Sequence, residues 1–307
     1  MLTTLFEKTS FSSYLYSGAI LLLIAAHRYF NTFGPEIDSY GIGSQLAEFT
    51  LVYIALLLSG IYFRERGFLK GNNTYALFFA LIYGYVPIEY NAISVWIQLN
   101  LVLWAAILFL RVSWKKAPHK LLLDTSLFLG LSLVLSWSNI GFIAVLYIGL
   151  FFAEIRERQL FFIPLVVVAG YFFILLSANQ MVSFSILPFP KTSLIEPGSL
   201  LLHPSKEEVL WLTLGGLGGG VLLWELIFRR RFNKLQKNNN LLLLGILVLT
   251  TVQGFWLDSE ADKMLFLLPI IAFAFKRING QSASSKRGNY LAFLLIGGLL
   301  SHYVIVS

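Results

Sequence analysis

The sequence predicts an all-α protein, a polytopic transmembrane helical bundle of about eleven spans. The first reason is composition, since the 307 residues are 57% hydrophobic and only 13% charged, with a mean hydropathy of +0.74. The second is segment length, because the apolar stretches recur near the roughly 20 residues that cross a bilayer core of about 30 Å. The third is charge order, because basic and acidic breaks between the stretches alternate, as expected when basic loops stay in the cytoplasm.

Each span follows from an apolar segment bounded by charged or turn-forming residues. The predicted spans lie near 11-33, 44-63, 73-90, 92-111, 121-136, 140-154, 160-178, 207-228, 239-256, 264-278 and 290-306. The run 121-154 is long for one span, but basic residues flank both of its ends. We therefore predict a hairpin that turns at residues 136-139. The same charge pattern gives five hairpins followed by one last span.

Charge also fixes the predicted orientation. With the N-terminus in the cytoplasm, 19 of the 23 Lys and Arg residues fall on the cytoplasmic side, and 10 of the 16 acidic residues fall outside. We expect a multi-pass protein of the bacterial inner membrane, whose first span is retained because no cleavage site follows it. Residues 1-307 are expected to form a single transmembrane domain, with one long external loop, 179-206, lying on the outer leaflet.

Composition excludes several kinds of site. The chain has no cysteine, which excludes disulfides, thiolate metal sites and a cysteine nucleophile. The basic excess sits beside apolar spans, so we expect contact with anionic lipid rather than with nucleic acid. His27, His203 and His302 would form a metal site only if three distant helices converged, and neither a metal nor a cofactor is expected.

The predicted outer face carries charges that topology does not require. His27 and Arg28 lie about one turn from the end of the first span, Glu36 and Asp38 follow in the loop, and Glu48 lies one turn into the second span. Charge at that depth is costly unless it is paired or hydrated. Arg28 with Glu48 or Asp38 is therefore expected either to be a structural ion pair or to form an anion or sugar-phosphate site.

A second polar group ends the third predicted span. Glu89 follows Pro87 and is flanked by Tyr85 and Tyr90. This pattern is typical either of a polar pocket wall or of a solvated turn.

Glycines mark a different feature. Gly215 and Gly219, and Gly216 and Gly220, form two overlapping G-x-x-x-G pairs inside an apolar span. Such pairs let helix backbones approach closely, so we expect close helix packing there.

The stretch Asn73 to Leu81, the Pro87-Ile88-Glu89 that follows it, and the segment Leu101 to Arg111 resemble a family of uncharacterised polytopic inner-membrane proteins from Bacteroidota. This resemblance covers about the first half of the chain. A carboxylate loop after the first span and a proline-terminated third span more distantly resemble the membrane-embedded GT-C glycosyltransferases.

The GT-C resemblance implies an enzyme that uses an external carboxylate as base and a polyprenyl-phosphate sugar as donor. It implies Asp38 or Glu36 as the catalytic base, Arg28 as a contact to the donor phosphate, and Glu89 as an acceptor-side residue. The sequence departs from that class, because only about ten residues separate its first two spans where GT-C enzymes have a long loop.

Two other functions are consistent with the same residues. A noncatalytic subunit of a membrane complex, in secretion, translocation or envelope assembly, would use the glycine pairs to contact protein partners. A carrier would need broken helices and polar groups near the midplane, of which the sequence supplies few.

Overall fold

The computed structural model describes the chain in segments. These are residues 11-33, 39-65, 73-86, 93-112, 118-136, 139-152, 158-181, 213, 216, 220, 265-278 and 294-296. They contain eight helices and no β-strand. The helices are α1 Phe11–Phe33, α2 Ser39–Glu65, α3 Thr74–Tyr83, α4 Ile93–Val112, α5 Pro118–Leu135, α6 Ile140–Phe152, α7 Arg158–Met181 and α8 Leu268–Ile278. The all-α prediction is confirmed for this part of the chain.

Two of these helical stretches, Gly41–Glu65 and Pro118–Leu135, are long and apolar enough to cross a membrane. The count of eleven spans stays a prediction, as does the loop beyond Met181. The predicted spans near 207-228, 239-256 and 290-306 lie largely outside the described residues.

The turn predicted at 136-139 is confirmed. Helix α5 ends at Leu135 and α6 begins at Ile140. The peptide N–H of Ser136 donates to the carbonyl of Ser132, and the N–H of Asn139 donates to the carbonyl of Ser136. Asn139 is itself fully buried, and its side-chain amide donates to the Ser132 carbonyl at 2.8 Å. The Ser132 carbonyl therefore accepts two hydrogen bonds, one from the Ser136 N–H and one from the Asn139 side chain, which ties the turn to the end of α5.

Helix α3 is shorter than the predicted span 73-90. It has ten residues, which is about 15 Å, or half of a bilayer core. From Gly84 to Val86 each N–H bonds three residues back instead of four, so the helix tightens and stops. Pro87 in the sequence accounts for the stop, because the residue before a proline avoids the helical region.

The core forms around α3. All ten of its side chains are buried, and its neighbours are α1, α2 and α8. The Phe63 ring of α2 stacks on Phe273 of α8 at 4.6 Å and lies 5.2 Å from Tyr75 of α3. Ten consecutive residues without a charge can be buried on every side at little electrostatic cost, which places α3 at the centre.

The other helices form a layer beside this core. Helix α4 packs between α2 and α5, and α5 packs against α7. A β-carbon placed on Gly130 of α5 would lie 2.3 Å from the ring of Tyr171, so this contact depends on glycine.

At Gly216 and Gly220, no described residue provides the close packing predicted for the G-x-x-x-G pairs. A β-carbon placed at either residue meets no atom within 4 Å. Both residues are helical, and both are exposed within the described part of the structure. Gly215 and Gly219 lie outside the described residues.

Candidate functional site

One end of the bundle gathers buried charge. Helices α1 and α3 finish at this end and α2 and α4 begin there, so four helix ends meet. Arg28 of α1 is 1% exposed and Glu48 of α2 is 2% exposed. Burying two ionisable side chains costs several kcal/mol unless other groups compensate for the lost water.

Tyr83, the last residue of α3, links these two side chains. Its hydroxyl donates a 2.7 Å hydrogen bond to Oε1 of Glu48. The guanidinium carbon of Arg28 lies 5.1 Å from the centre of the Tyr83 ring, within the range of a cation–π interaction. One tyrosine therefore stabilises the carboxylate through its edge and the cation through its face.

Trp96 of α4 closes the cluster on a further side. Its ring is 0% exposed and meets the Tyr83 ring edge to face, with centroids 5.8 Å apart. Within the described part of the chain, the indole N–H has no hydrogen-bond partner. We call Arg28, Glu48, Tyr83 and Trp96 the outer cluster, because the positive-inside pattern predicts this end to be external.

The structure describes only some of the predicted site residues. Arg28 and Glu48 come together, although Tyr83 joins them and no direct ion pair between the two is formed. His27, beside Arg28 on α1, is exposed and lies off the buried face. Glu36, Asp38, Glu89 and Tyr90 lie outside the described residues.

Sequence reasoning missed two members of the cluster. The sequence analysis singles out neither Trp96, which is wholly buried, nor Tyr83, which ends a helix rich in aromatic residues. Their position along the helices is the signal that could have found them. Tyr83 and Trp96 lie near the ends of their predicted spans that face the same side of the membrane as Arg28 and Glu48.

A neutral polar pair near the outer cluster joins Gln98 of α4 to Asn139 in the turn between α5 and α6. The Asn139 amide donates to Oε1 of Gln98 at 2.9 Å, and both side chains are buried. Because each amide has a partner, this pair fixes the α5–α6 turn against α4.

The opposite end of the bundle has a different character. Arg111 of α4 and Glu65 of α2 form an ion pair there, and both side chains are partly exposed. Arg64 donates to the Tyr14 hydroxyl at 3.4 Å. Exposed pairs of this kind contribute little to stability, which sets them apart from the outer cluster.

The described residues include no group of three or more His, Asp or Glu side chains that could hold a metal ion. Comparison of the chain with protein-family models, curated proteins and solved structures found no match.

Proposed function

We propose that this protein is a multi-pass inner-membrane enzyme that transfers a sugar from a polyprenyl phosphate at the outer face of the membrane. The two apolar helices long enough to cross a membrane support the membrane location. The charge order of the whole chain supports about eleven spans with a cytoplasmic N-terminus. The resemblance to Bacteroidota inner-membrane proteins is consistent with this location.

The observation that carries the proposal is the burial of Arg28 against Tyr83, with Glu48 bonded to the same tyrosine. Positive-inside topology does not require an arginine at the outer end. Apolar residues of similar volume often replace buried ion pairs without loss of stability, so a structural role alone does not demand these charges. Phosphate binding would explain the buried arginine, because a planar guanidinium can bind two phosphate oxygens at once.

The proposed reaction assigns a task to each residue. Asp38, or Glu36 in its place, takes the proton from the acceptor hydroxyl while that oxygen attacks the anomeric carbon of the donor sugar. The bond from the anomeric carbon to the phosphate oxygen breaks, and polyprenyl phosphate leaves with the added negative charge. Arg28 stabilises that charge, and Glu48 holds Arg28 in place through Tyr83.

The remaining predicted residues surround this centre. Glu89 and Tyr90 contact the acceptor, and His27 contacts the substrate from the exposed side of α1. No metal or cofactor enters the proposed reaction.

A carrier is the second candidate, and the short helix α3 favours it. This helix stops after ten residues at Tyr83, beside a buried carboxylate. Broken helices that end beside buried polar groups are the usual binding sites of transporters.

A subunit role has one observation in its favour, the exposure of Gly216 and Gly220 within the described residues. Small residues at helical spacing suit a partner helix in a membrane complex.

A transfer assay in proteoliposomes tests the proposed function. Purified protein is given a radiolabelled polyprenyl-phosphate sugar, and label is followed in the water-soluble and lipid fractions. We expect wild-type protein to move label from the donor lipid to an acceptor and the Asp38→Asn/Glu36→Gln double variant to lose that transfer. Movement of label across the bilayer with the donor intact would contradict the transferase proposal and support a carrier.

A further inference from the structure

A cleft lies between α4, α5 and α6, in the half of α4 that is farther from the outer cluster. It contains about 320 Å³ of empty space, open solvent at its mouth included. Along α4 the cleft extends from Val102 to Phe109, a distance of about 10 Å, and Phe109 lies within one turn of the last residue of that helix. The cleft therefore approaches the end of the bundle that the charge pattern predicts to be cytoplasmic.

The lining of the cleft is apolar. Ala105 and Ala106 of α4 lie on one wall, where their small side chains leave room, and α6 forms another wall with aromatic and aliphatic side chains. Thr125 is the one polar residue among the described residues of the lining, and its hydroxyl donates to the Leu121 carbonyl at 2.7 Å. Since that donor is already used, the space suits hydrocarbon, which needs no hydrogen bond.

The loop at the near end of the cleft is basic. The last residues of α4, the loop and the first residues of α5 make up the run 111-120, which contains four Lys or Arg residues and no acidic residue. Glu65 pairs with Arg111, and Asp124 lies on α5, so two carboxylates offset part of this charge. The run 154-158 beyond α6 has two basic and two acidic residues, so the sum remains positive. Apolar space beside a positive loop matches an amphiphile with a hydrocarbon chain and an anionic headgroup.

We propose that the α4–α5–α6 cleft holds one acyl chain of an anionic phospholipid from the cytoplasmic leaflet, with its headgroup against the basic run 111-120. The site is separate from the polyprenyl phosphate of the proposed reaction, because the outer cluster lies at the opposite end of α4. This inference rests on the membrane location in the proposed function and does not depend on the transfer reaction.

Photocrosslinking of the full chain in phosphatidylcholine nanodiscs tests the site. The bilayer contains a trace of phosphatidylglycerol with a diazirine in one acyl chain, and mass spectrometry locates the crosslinked peptides. Unlabelled phosphatidylglycerol, phosphatidylcholine and polyprenyl phosphate are added separately, in equal amounts, as competitors. The exposed Phe162 and Phe173 of α7 report contact with bulk lipid in the same sample.

We expect crosslinks within 102-109 and 125-129 that unlabelled phosphatidylglycerol reduces about tenfold and that the other two competitors leave unchanged relative to α7. Equal reduction by both phospholipids would show bulk lipid in the cleft and overturn the proposal. Reduction by polyprenyl phosphate alone would assign the cleft to the substrate tail, and an absence of cleft crosslinks would leave it without a lipid. Either of these results also overturns the proposal.

Filling the cleft gives a second readout. Ala106→Phe places a ring in the space, so we expect it to lose most of the cleft crosslinks. Ala19→Phe is the matched control, because Ala19 is exposed on α1, and it should crosslink as wild type does. Unchanged cleft crosslinks in Ala106→Phe contradict the proposal.

The charge of the loop is tested by a matched pair of triple variants. Lys115→Gln/Lys116→Gln/Lys120→Gln removes three positive charges beside the cleft, and Arg229→Gln/Arg230→Gln/Arg231→Gln removes three from another predicted cytoplasmic run. We expect the lysine variant alone to lose the preference for phosphatidylglycerol. Equal preference in the two variants contradicts a headgroup at 111-120.

The transfer assay separates this inference from the proposed function. A protein that binds phosphatidylglycerol selectively in the cleft but transfers no sugar retains the lipid site and loses the transferase. A protein that transfers sugar without selective cleft crosslinks retains the transferase and loses this site.

Discussion

The Tyr83 hydroxyl at the end of α3 donates a 2.7 Å hydrogen bond to Glu48 of α2, which lies 35 residues earlier in the chain. This bond joins the central helix to its neighbour at the point where α3 stops. It also gives the buried carboxylate a donor in place of water, which lowers the cost of its burial.

Removing that donor should destabilise the protein. Tyr83→Phe leaves the ring over Arg28 but takes the hydrogen bond from Glu48, so we expect a loss of about 1–3 kcal/mol in the free energy of unfolding. Unfolding in mixed detergent micelles with increasing dodecyl sulfate measures the loss. Tyr53→Phe is the control, because the Tyr53 hydroxyl makes only a long 3.5 Å contact with the Tyr14 carbonyl. Equal stability of the two variants would contradict the role given to Tyr83.

The contact of α5 with α7 gives a packing prediction. Gly130→Ala places a methyl group 2.3 Å from the Tyr171 ring, so the ring must move. We expect a loss of about 1–3 kcal/mol, as for other overpacked interiors. Shortening the obstructing side chain in Gly130→Ala/Tyr171→Leu should recover part of the loss, which the thermal midpoint in detergent measures.

Gly170, which precedes Tyr171 on α7, supplies the control for that experiment. Its β-carbon position is open, so Gly170→Ala should be neutral or slightly stabilising because alanine favours helix. A Gly130→Ala variant as stable as Gly170→Ala would show that the α5–α7 contact does not depend on glycine.

The buried amide pair predicts strong coupling. Asn139→Leu alone leaves Gln98 without its donor, and Gln98→Leu alone leaves the Asn139 amide without one of its acceptors. We expect each single variant to lose about 1–3 kcal/mol and the double variant to lose less than their sum. A thermodynamic cycle of unfolding free energies measures the coupling, and additive losses would rule out the bond as a stabilising contact.

The sequence predicts the features that depend on the pattern of apolar, charged and turn-forming residues within one segment. The apolar length of 11-33 predicts α1 with the bounds that it has, and basic flanks together with a polar turn locate the break between α5 and α6. These features can be predicted because the length of an apolar span and the charge of its flanks are properties of that segment alone.

Features that depend on contacts between different helices could not be predicted from the sequence. Nothing local distinguishes Tyr83 from the other aromatic residues of α3, and its importance comes from Glu48 on another helix. Trp96 lies near the start of the predicted span 92-111, and nothing in that apolar pattern shows that its neighbours enclose its ring. The glycine pair at 216 and 220 has the spacing of a packed face, yet no described residue lies within 4 Å of a β-carbon placed at either glycine.

The predicted topology can be mapped simply, because the chain contains no cysteine. Single variants Glu260→Cys and Lys234→Cys place one thiol on each predicted side. A membrane-impermeant maleimide added to intact spheroplasts should label Glu260→Cys and leave Lys234→Cys unlabelled until the membrane is broken. The reverse labelling pattern would invert the orientation, and the outer cluster would then face the cytoplasm.

The most direct test of a functional outer cluster compares two arginine substitutions by native mass spectrometry with polyprenyl phosphate. Lysine keeps the charge of Arg28 but loses the planar fork that binds two phosphate oxygens. Arg64→Lys is the control, because Arg64 lies exposed at the opposite end of the bundle. We predict that wild type and Arg64→Lys each retain one lipid phosphate per chain, while Arg28→Lys binds it at least tenfold more weakly with its fold intact. Equal lipid binding by Arg28→Lys and Arg64→Lys would contradict a phosphate-binding role for the cluster.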